Sequence, residues 1–190
     1  MKKGHIYFIM WVSWAGKGTL INNLKKQKLD LHIPLSYKSR TKRDFEEHGV
    51  DSYFISVSEF KKSINSWEFL EYAIVHWVDY YGTKYDDVIL NGIEKWKIVI
   101  KELDIIWLTK LKQSKPEFIN DYTTIFLNIP VEKLKERIKY RWDKITQEQL
   151  ENRIQSAIKE EQEARELCNY IIDATQTEQE VLQEVLWVIK

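Results

Sequence analysis

Glycine is scarce in this chain: 6 of 190 residues, about 3% where roughly 7% is usual. Three prolines complete the deficit, and together these counts exclude flexible or proline-rich linkers and low-complexity tracts. Cysteine occurs once, at Cys168, so no disulfide can close within the chain, and a reducing, cytoplasmic location is expected. No apolar run approaches the roughly 20 residues of a membrane span. Lys2-Lys3 and the apolar stretch HIYFIMWV resemble a secretory leader, but no small-residue cleavage site follows, so secretion is not expected. Neither charge sign dominates, with 29 Lys plus Arg against 29 Asp plus Glu. That balance excludes a nucleic-acid or membrane surface working by bulk charge, and any anion site must be local.

Arginine and tryptophan are what stand out. Only six of the 29 basic residues are arginine, while tryptophan reaches eight. With 44% hydrophobic content in 190 residues, one domain with a substantial core is expected. The spacing predicts a strand over 5–12, a helix from about 17 to 28, and a short strand over 31–36. Residues 36–87 change texture to polar and aromatic stretches suited to short antiparallel strands, which reads as an inserted flap. Continuous β-branched runs at 97–104 and 122–130 read as strands covered on both faces, with helices between them. Charged helices follow from Pro130 and from the DKITQEQ segment to about Leu167. NYIIDA and a helix over 178–189 close the chain. Strands alternating with helices give an α/β fold with a parallel sheet.

The segment Ala15-Gly16-Lys17-Gly18-Thr19, entered from the first strand, has the form of a phosphate-binding loop. Backbone amides and the helix N-terminus there hold an anion, and the lysine reaches terminal phosphates. The strict pattern asks for glycine at 11 and a hydroxyl at 18. This chain has Trp11 and Gly18, with Thr19 offering a hydroxyl beside them.

Five further segments in order bring the whole chain to resemble the guanylate kinases, P-loop enzymes that move a phosphoryl group from ATP to GMP. The resemblance implies a core of 1–35, 88–129 and 161–190, a GMP-binding flap of 36–87, and a helical lid of 130–160. It assigns Trp11, Val12, Ser13, Trp14, Ala15, Gly16, Lys17, Gly18 and Thr19 to ATP. SYKSRTKR gives Ser36, Arg40 and Arg43 to the GMP phosphate. A guanidinium suits this role because its planar fork pairs with phosphate oxygens and stays charged. EFLEYA gives Glu71 to guanine N1 and its exocyclic amine, a donor pair that adenine lacks. YYGT gives Tyr81 to the phosphate and Thr83 to the base. ELD brings Glu102 and Asp104 near GMP and Mg²⁺, with Thr19 and Asp104 as the metal-side residues. LKERIKYRW and ENRI put Arg137, Arg141 and Arg153 on the transferring phosphates, so Lys17 and five of the six arginines serve phosphoryl transfer. Ser52 stands where the family usually has a phosphate-binding tyrosine, with Tyr53 beside it as substitute. Neither nucleic acid, membrane nor an obligate protein partner is implied. Two alternatives remain at this level: a catalytically dead interaction domain of the same fold, and a kinase for another nucleoside monophosphate.

On the family pattern Trp11, Trp14, Trp67, Trp77, Trp96, Trp107 and Trp142 fall on glycines, and Trp187 on no assignable position. Glycine plus tryptophan is 14 residues, about 7%, the ordinary glycine share. The expectation is that these tryptophans sit in turns, where a left-handed backbone costs an L-residue roughly 1–2 kcal/mol. The pattern is that of a gene whose UGA codons specify glycine but were rendered as tryptophan.

Overall fold

The computed structural model describes residues 4–12, 17–27, 29–75, 78–114, 121–141 and 146–189. Its larger sheet has the strand order β2-β7-β1-β8-β9, where β1 is His5–Trp11, β2 Leu31–His32, β7 Ile98–Glu102, β8 Tyr122–Asn128 and β9 Tyr170–Asp173. β2 runs parallel to β7 and β8 parallel to β9, as the continuous apolar runs require. Helices complete the α/β architecture, and the chain divides into two compact units: residues 1–6 with 30–101, and residues 7–29 with 102–190.

The first unit carries a second sheet of order β4-β3-β6-β5, formed by β3 (Tyr37–Lys38), β4 (Tyr53–Phe54), β5 (Phe69–Val75) and β6 (Asp79–Lys84). β5 and β3 lie antiparallel to β6, as expected for this segment, but β3 and β4 pair in parallel. The segment also contains a helix that the strand reading of 36–87 misses: α2, Val57–Asn65. Its start is fixed by a capping box in which the Ser56 side chain accepts from the Glu59 amide and the Glu59 carboxylate accepts from the Ser56 amide. Phe60 on α2 is fully buried, its ring stacked on Phe69 with centroids 4.2 Å apart. A short helix, α3 (Tyr85–Val88), follows β6. Gly82 permits the close approach of β5, since a Cβ there would lie 2.7 Å from the Glu71 carbonyl oxygen.

The second unit holds α1 (Lys17–Lys25), α4 (Ile105–Ser114), α5 (Val131–Arg141), α6 (Gln147–Leu167) and α7 (Glu178–Ile189). α1 stops three residues short of the expected end, where the Lys26 and Gln27 amides turn back to the Asn23 and Leu24 carbonyls. α6 begins at a Thr146/Gln149 capping box. α7 buries Val181, Leu182, Val185, Leu186 and Ile189, one apolar stripe at helical spacing. The core of this unit includes Phe8, Ile9, Met10, Ile125, Phe126 and Leu127, each at most 1% exposed. Each such fully buried large apolar side chain contributes roughly 1.5–3 kcal/mol to its stability.

The tryptophans divide by position. Trp67 and Trp96 are the non-glycine residues with positive φ among those described, at 56° and 62°. Each closes a helix end by the same pair of bonds. After α2 the Trp67 amide donates to Ile64 and the Glu68 amide to Ser63; after the 3-10 turn Ile93–Lys95, Trp96 donates to Ile93 and Lys97 to Gly92. This is the arrangement in which the residue past the cap is ordinarily glycine. Their indoles are exposed, 90% for Trp67 and 57% for Trp96. The turn expectation is corrected for Trp107, which lies in the first turn of α4 with its amide donating to the Asp104 carbonyl. Trp11 is the last residue of β1, without positive φ. Trp14, Trp77 and Trp142 lie outside the described residues.

Candidate active site

In the first unit, strand register collects polar side chains on one face of the smaller sheet. Glu71 is paired directly with Thr83, Ala73 with Tyr81, and Lys38 with Tyr81. With side chains alternating along each strand, Glu71, Thr83, Tyr81 and Lys38 therefore share a face. The Thr83 hydroxyl, fully buried, donates to Glu71 Oε1 at 2.6 Å and fixes that carboxylate.

Arg40 reaches the same region from the loop after β3. Its Nε donates to the Tyr81 hydroxyl at 3.0 Å, and its Nη1 and Nη2 form a fork on Glu46. The Glu46 carboxylate also accepts from the Arg43 amide at 2.8 Å and lies 3.6 Å from Lys38 Nζ. The Arg40 hydrogen bond, followed by the Arg43 amide and the nearby charges, holds the Glu46 pKa down at about 2. Arg40 in turn is held charged beyond its already high value, by Glu46 first. The Arg43 side chain is exposed, with its guanidinium 6.0 Å from the Phe45 ring centroid.

Ser36, at the entry to β3, accepts a hydrogen bond from Lys101 Nζ at 3.1 Å, and its carbonyl accepts from the Tyr53 amide. The Tyr53 ring stacks on Tyr37 with centroids 4.7 Å apart, and the Ser52 hydroxyl donates to the Asp51 carbonyl. Of the seven residues expected to meet the substrate phosphate or base, Tyr53 has its ring packed on Tyr37.

In the second unit, β1 leads to Val12, 1% exposed, whose amide donates to the Leu127 carbonyl. Ser13, Trp14, Ala15 and Gly16 lie outside the described residues. Lys17 opens α1, with Gly18 exposed and Thr19 half-buried in its first turn. The side chains of Lys17, Arg137 and Arg141 are outside those described, though α5 carries both arginine backbones. Arg153 is half-buried on α6. Arg165, the arginine without an expected role, forms an ion pair with Glu161 one turn earlier on α6. Glu102 is half-buried and Asp104 exposed, with Asp104 Oδ1 accepting from the Ile106 amide at 2.8 Å. The Glu160 pKa is raised, by burial first and then by the charges of Asp104 and Glu163, against a lowering hydrogen bond from Ser156. Among the described residues, no group of three or more His, Cys, Asp or Glu side chains is placed to hold a metal ion. Cys168 is no candidate nucleophile, because burial pushes its thiol up to about 11.

Residues 3–188 match the protein family described as guanylate kinase. The chain belongs to the guanylate kinase family. It is 38% identical over 160 residues to the guanylate kinase of Clostridium acetobutylicum, covering 84% of this chain and 73% of that one. To the guanylate kinase of Campylobacter jejuni strain RM1221 it is 33% identical over 188 residues, covering 97% and 88%. The crystal structure of guanylate kinase from Anaplasma phagocytophilum superposes with a TM-score of 0.72 at 21% identity, covering 98% of this chain and 85% of that one, which establishes the fold.

As a guanylate kinase family member the chain has a site richer than the motif residues alone. The structure brings Arg40, Tyr81, Glu71 and Thr83 together through hydrogen bonds and shared register, while Arg43 joins them through its backbone. Sequence reasoning misses Glu46, which organises Arg40, and Lys101, which holds Ser36. Glu46 had a signal in the sequence, as one of three acids (Asp44, Glu46 and Glu47) that directly follow the basic stretch Arg40–Arg43. Lys101 had none beyond its place inside an apolar strand.

Proposed function

We propose that the chain transfers the terminal phosphoryl group of ATP to GMP, giving ADP and GDP. Membership of the family over residues 3–188 carries this reading, and the polar face of the smaller sheet supplies its acceptor half. Glu71 accepts hydrogen bonds from guanine N1–H and the exocyclic amine, held for that purpose by the buried Thr83 hydroxyl. An adenine ring offers no matching donor pair, and leaving a buried acceptor unsatisfied is costly.

Arg40, Arg43, Tyr81 and Ser36 bind the GMP phosphate. Because Tyr81 accepts from Arg40, its own hydrogen is directed elsewhere, toward a phosphate oxygen. Glu46 sets the plane of the Arg40 guanidinium and offsets part of the charge of Lys38 and Arg40, so the cluster is assembled before substrate arrives. Tyr53 and Glu102 complete the substrate set in this reading.

Trp11, Val12, Ser13, Trp14, Ala15, Gly16, Lys17, Gly18 and Thr19 form the ATP loop, and Lys17, Arg137, Arg141 and Arg153 meet the transferring phosphate. Phosphoryl transfer asks of the protein chiefly in-line positioning and neutralisation of charge on the equatorial oxygens, which these cations supply. Thr19 and Asp104 would hold Mg²⁺, which would supply charge neutralisation to the phosphates when bound. Residues 36–87 act as the GMP flap and 130–160 as the lid, and the enzyme works in the cytoplasm.

A coupled assay of ATP with GMP, AMP, UMP and dTMP tests the reading. GMP is expected to be the preferred acceptor by at least about a hundredfold, roughly 2.7 kcal/mol in selectivity. Equal rates with AMP would assign a different base to Glu71, and no turnover with any acceptor would favour a non-catalytic binding domain.

A further inference from the structure

Lys38 and Arg40 stand two residues apart in SYKSR, a spacing that turns both to one side of an extended chain. Strand register sets Lys38 between Phe54 of β4 and Tyr81 of β6, its ammonium 5.7 Å from the first ring centroid and 6.0 Å from the second. Arg40 borders the same Phe54 ring at 5.4 Å. Both cations meet at Glu46 Oε1: Arg40 Nη2 donates to it, and Lys38 Nζ lies 3.6 Å away, an ion pair too long to be a hydrogen bond. The side chains of Lys38 and Glu46 are only 18% and 9% exposed, so solvent screens these charges poorly. Glu71, a further carboxylate on this face, lies two residues farther along β6, opposite Thr83 and bonded to it. Around Glu46, then, two cations converge on one carboxylate and leave a positive charge over. Arg43, whose amide holds the same carboxylate, adds a second when its side chain joins them. A phosphate monoester carries two negative charges above its second pKa of about 6.

We propose that Lys38 is a specificity-determining residue of the acceptor site: its ammonium supplies the charge by which the site selects a doubly charged phosphate over a singly charged group of the same shape. The inference rests on the acceptor site proposed above. Without Lys38 the charges of Arg40 and Glu46 cancel, and Arg43 alone remains to meet the anion. With Lys38 the excess equals the charge of a phosphate dianion. The backbone pairing of Lys38 with Tyr81 fixes the root of its side chain beside the tyrosine whose hydroxyl is proposed to donate to that phosphate, whereas both arginines belong to the loop after β3. Coulomb attraction scales with the charge of the ligand. Removing one cation therefore costs a dianion about twice the free energy that it costs a monoanion at the same distance, and costs an uncharged nucleoside nothing.

The experiment is calorimetric titration at pH 8 of three ligands: GMP, its singly charged isostere guanosine 5′-sulfate, and guanosine. Each is titrated into the unaltered chain, Lys38→Met and Lys38→Arg. Lys38→Met is expected to weaken GMP about tenfold and the sulfate about threefold, the square-root relation that the charge ratio demands, while guanosine changes less than about twofold. Lys38→Arg keeps the charge and should keep the preference for GMP over the sulfate. Unchanged GMP affinity in Lys38→Met overturns the proposal. Equal losses for all three ligands overturn it by showing a role in packing Tyr81 and Phe54 alone, and equal losses for GMP and the sulfate overturn it by showing a contact that does not sense charge. A Lys38→Arg chain that loses the preference as fully as Lys38→Met also overturns it. Should Lys38→Met fail to fold by circular dichroism, Lys38→Gln takes its place, and an undiminished preference for GMP over the sulfate there overturns the proposal. An unaltered chain that binds GMP no better than guanosine refutes the acceptor site itself, an outcome separable from all of these.

Discussion

Replacing Trp67 and Trp96 by glycine should stabilise the protein, whereas the same replacement at Trp187 should destabilise it. Trp67 and Trp96 hold φ of 56° and 62°, where an L-residue is disfavoured by roughly 1–2 kcal/mol. Their rings are 90% and 57% exposed, so little packing is lost with them. Glycine returns part of the gain, about 0.4–1 kcal/mol, through the greater freedom of its unfolded chain. The net is roughly +0.5–1 kcal/mol at each site. At about 2–4 °C per kcal/mol for a chain of this size, the double variant should melt some 2–8 °C higher. Trp187 is 74% exposed too, but it lies inside α7, without positive φ, and its ring meets Tyr170 edge-on at 6.4 Å. Glycine there forfeits helix propensity and that contact, roughly 1 kcal/mol together. Thermal and urea unfolding of the three single variants reads both signs. If all three lower Tm alike, the strain argument is wrong; if the codons at Trp67 and Trp96 are TGG, the reassignment of UGA to glycine is wrong as well.

Glu71→Gln should lower kcat/KM for GMP about a hundredfold, roughly 3 kcal/mol for weakened hydrogen bonds to a charged group, and narrow the preference over AMP, both read in the coupled assay. Glu46 carries a pH prediction. Its folded pKa of about 2 lies below its ordinary 4.5, so its contribution to stability is complete above about pH 4.5 and is lost as pH falls toward 2. Urea unfolding from pH 5 to pH 2 should therefore fall less steeply in Glu46→Gln than in the unaltered chain, and parallel curves would contradict the Arg40–Glu46 pairing. Trp11→Gly combined with Trp14→Gly should tighten ATP binding at least tenfold by calorimetry, because glycine lets loop amides close on phosphate; equal affinity would show that the indoles do not obstruct the loop.

Much of the fold is readable in particular residues. The apolar strand that runs into Lys17, the proline before Val131, and the one-sided apolar stripe of α7 mark elements that the structure contains within a few residues. α2 is legible in hindsight from Ser56 and Glu59, a capping box, yet its short amphipathic sequence lies among aromatic strand-like stretches that dominate the local pattern. The parallel pairing of β3 with β4 is not legible, since it joins two-residue strands across a long loop and depends on tertiary packing. At the candidate site, arginines in a lysine-preferring chain single out the positions proposed to handle phosphate, and Glu71 and Thr83 read as a pair only once β5 and β6 are placed in register. Lys101 reads as a charge within an apolar strand, and only three-dimensional packing reveals that it is buried and donates to Ser36 Oγ. The tryptophans show the same limit. Trp67 and Trp96 occupy glycine geometry as their turn context indicates, whereas Trp107 lies in a helix that local sequence did not separate from a turn.

The most direct measurement follows the γ-phosphorus label of ATP through a reaction with GMP, using the chain carrying Trp11→Gly and Trp14→Gly. Label recovered in the β-position of GDP, in equal amount to the ADP formed, is the expected result. Label released as inorganic phosphate at the same rate with and without GMP would show that no acceptor is held for transfer, and would contradict the account.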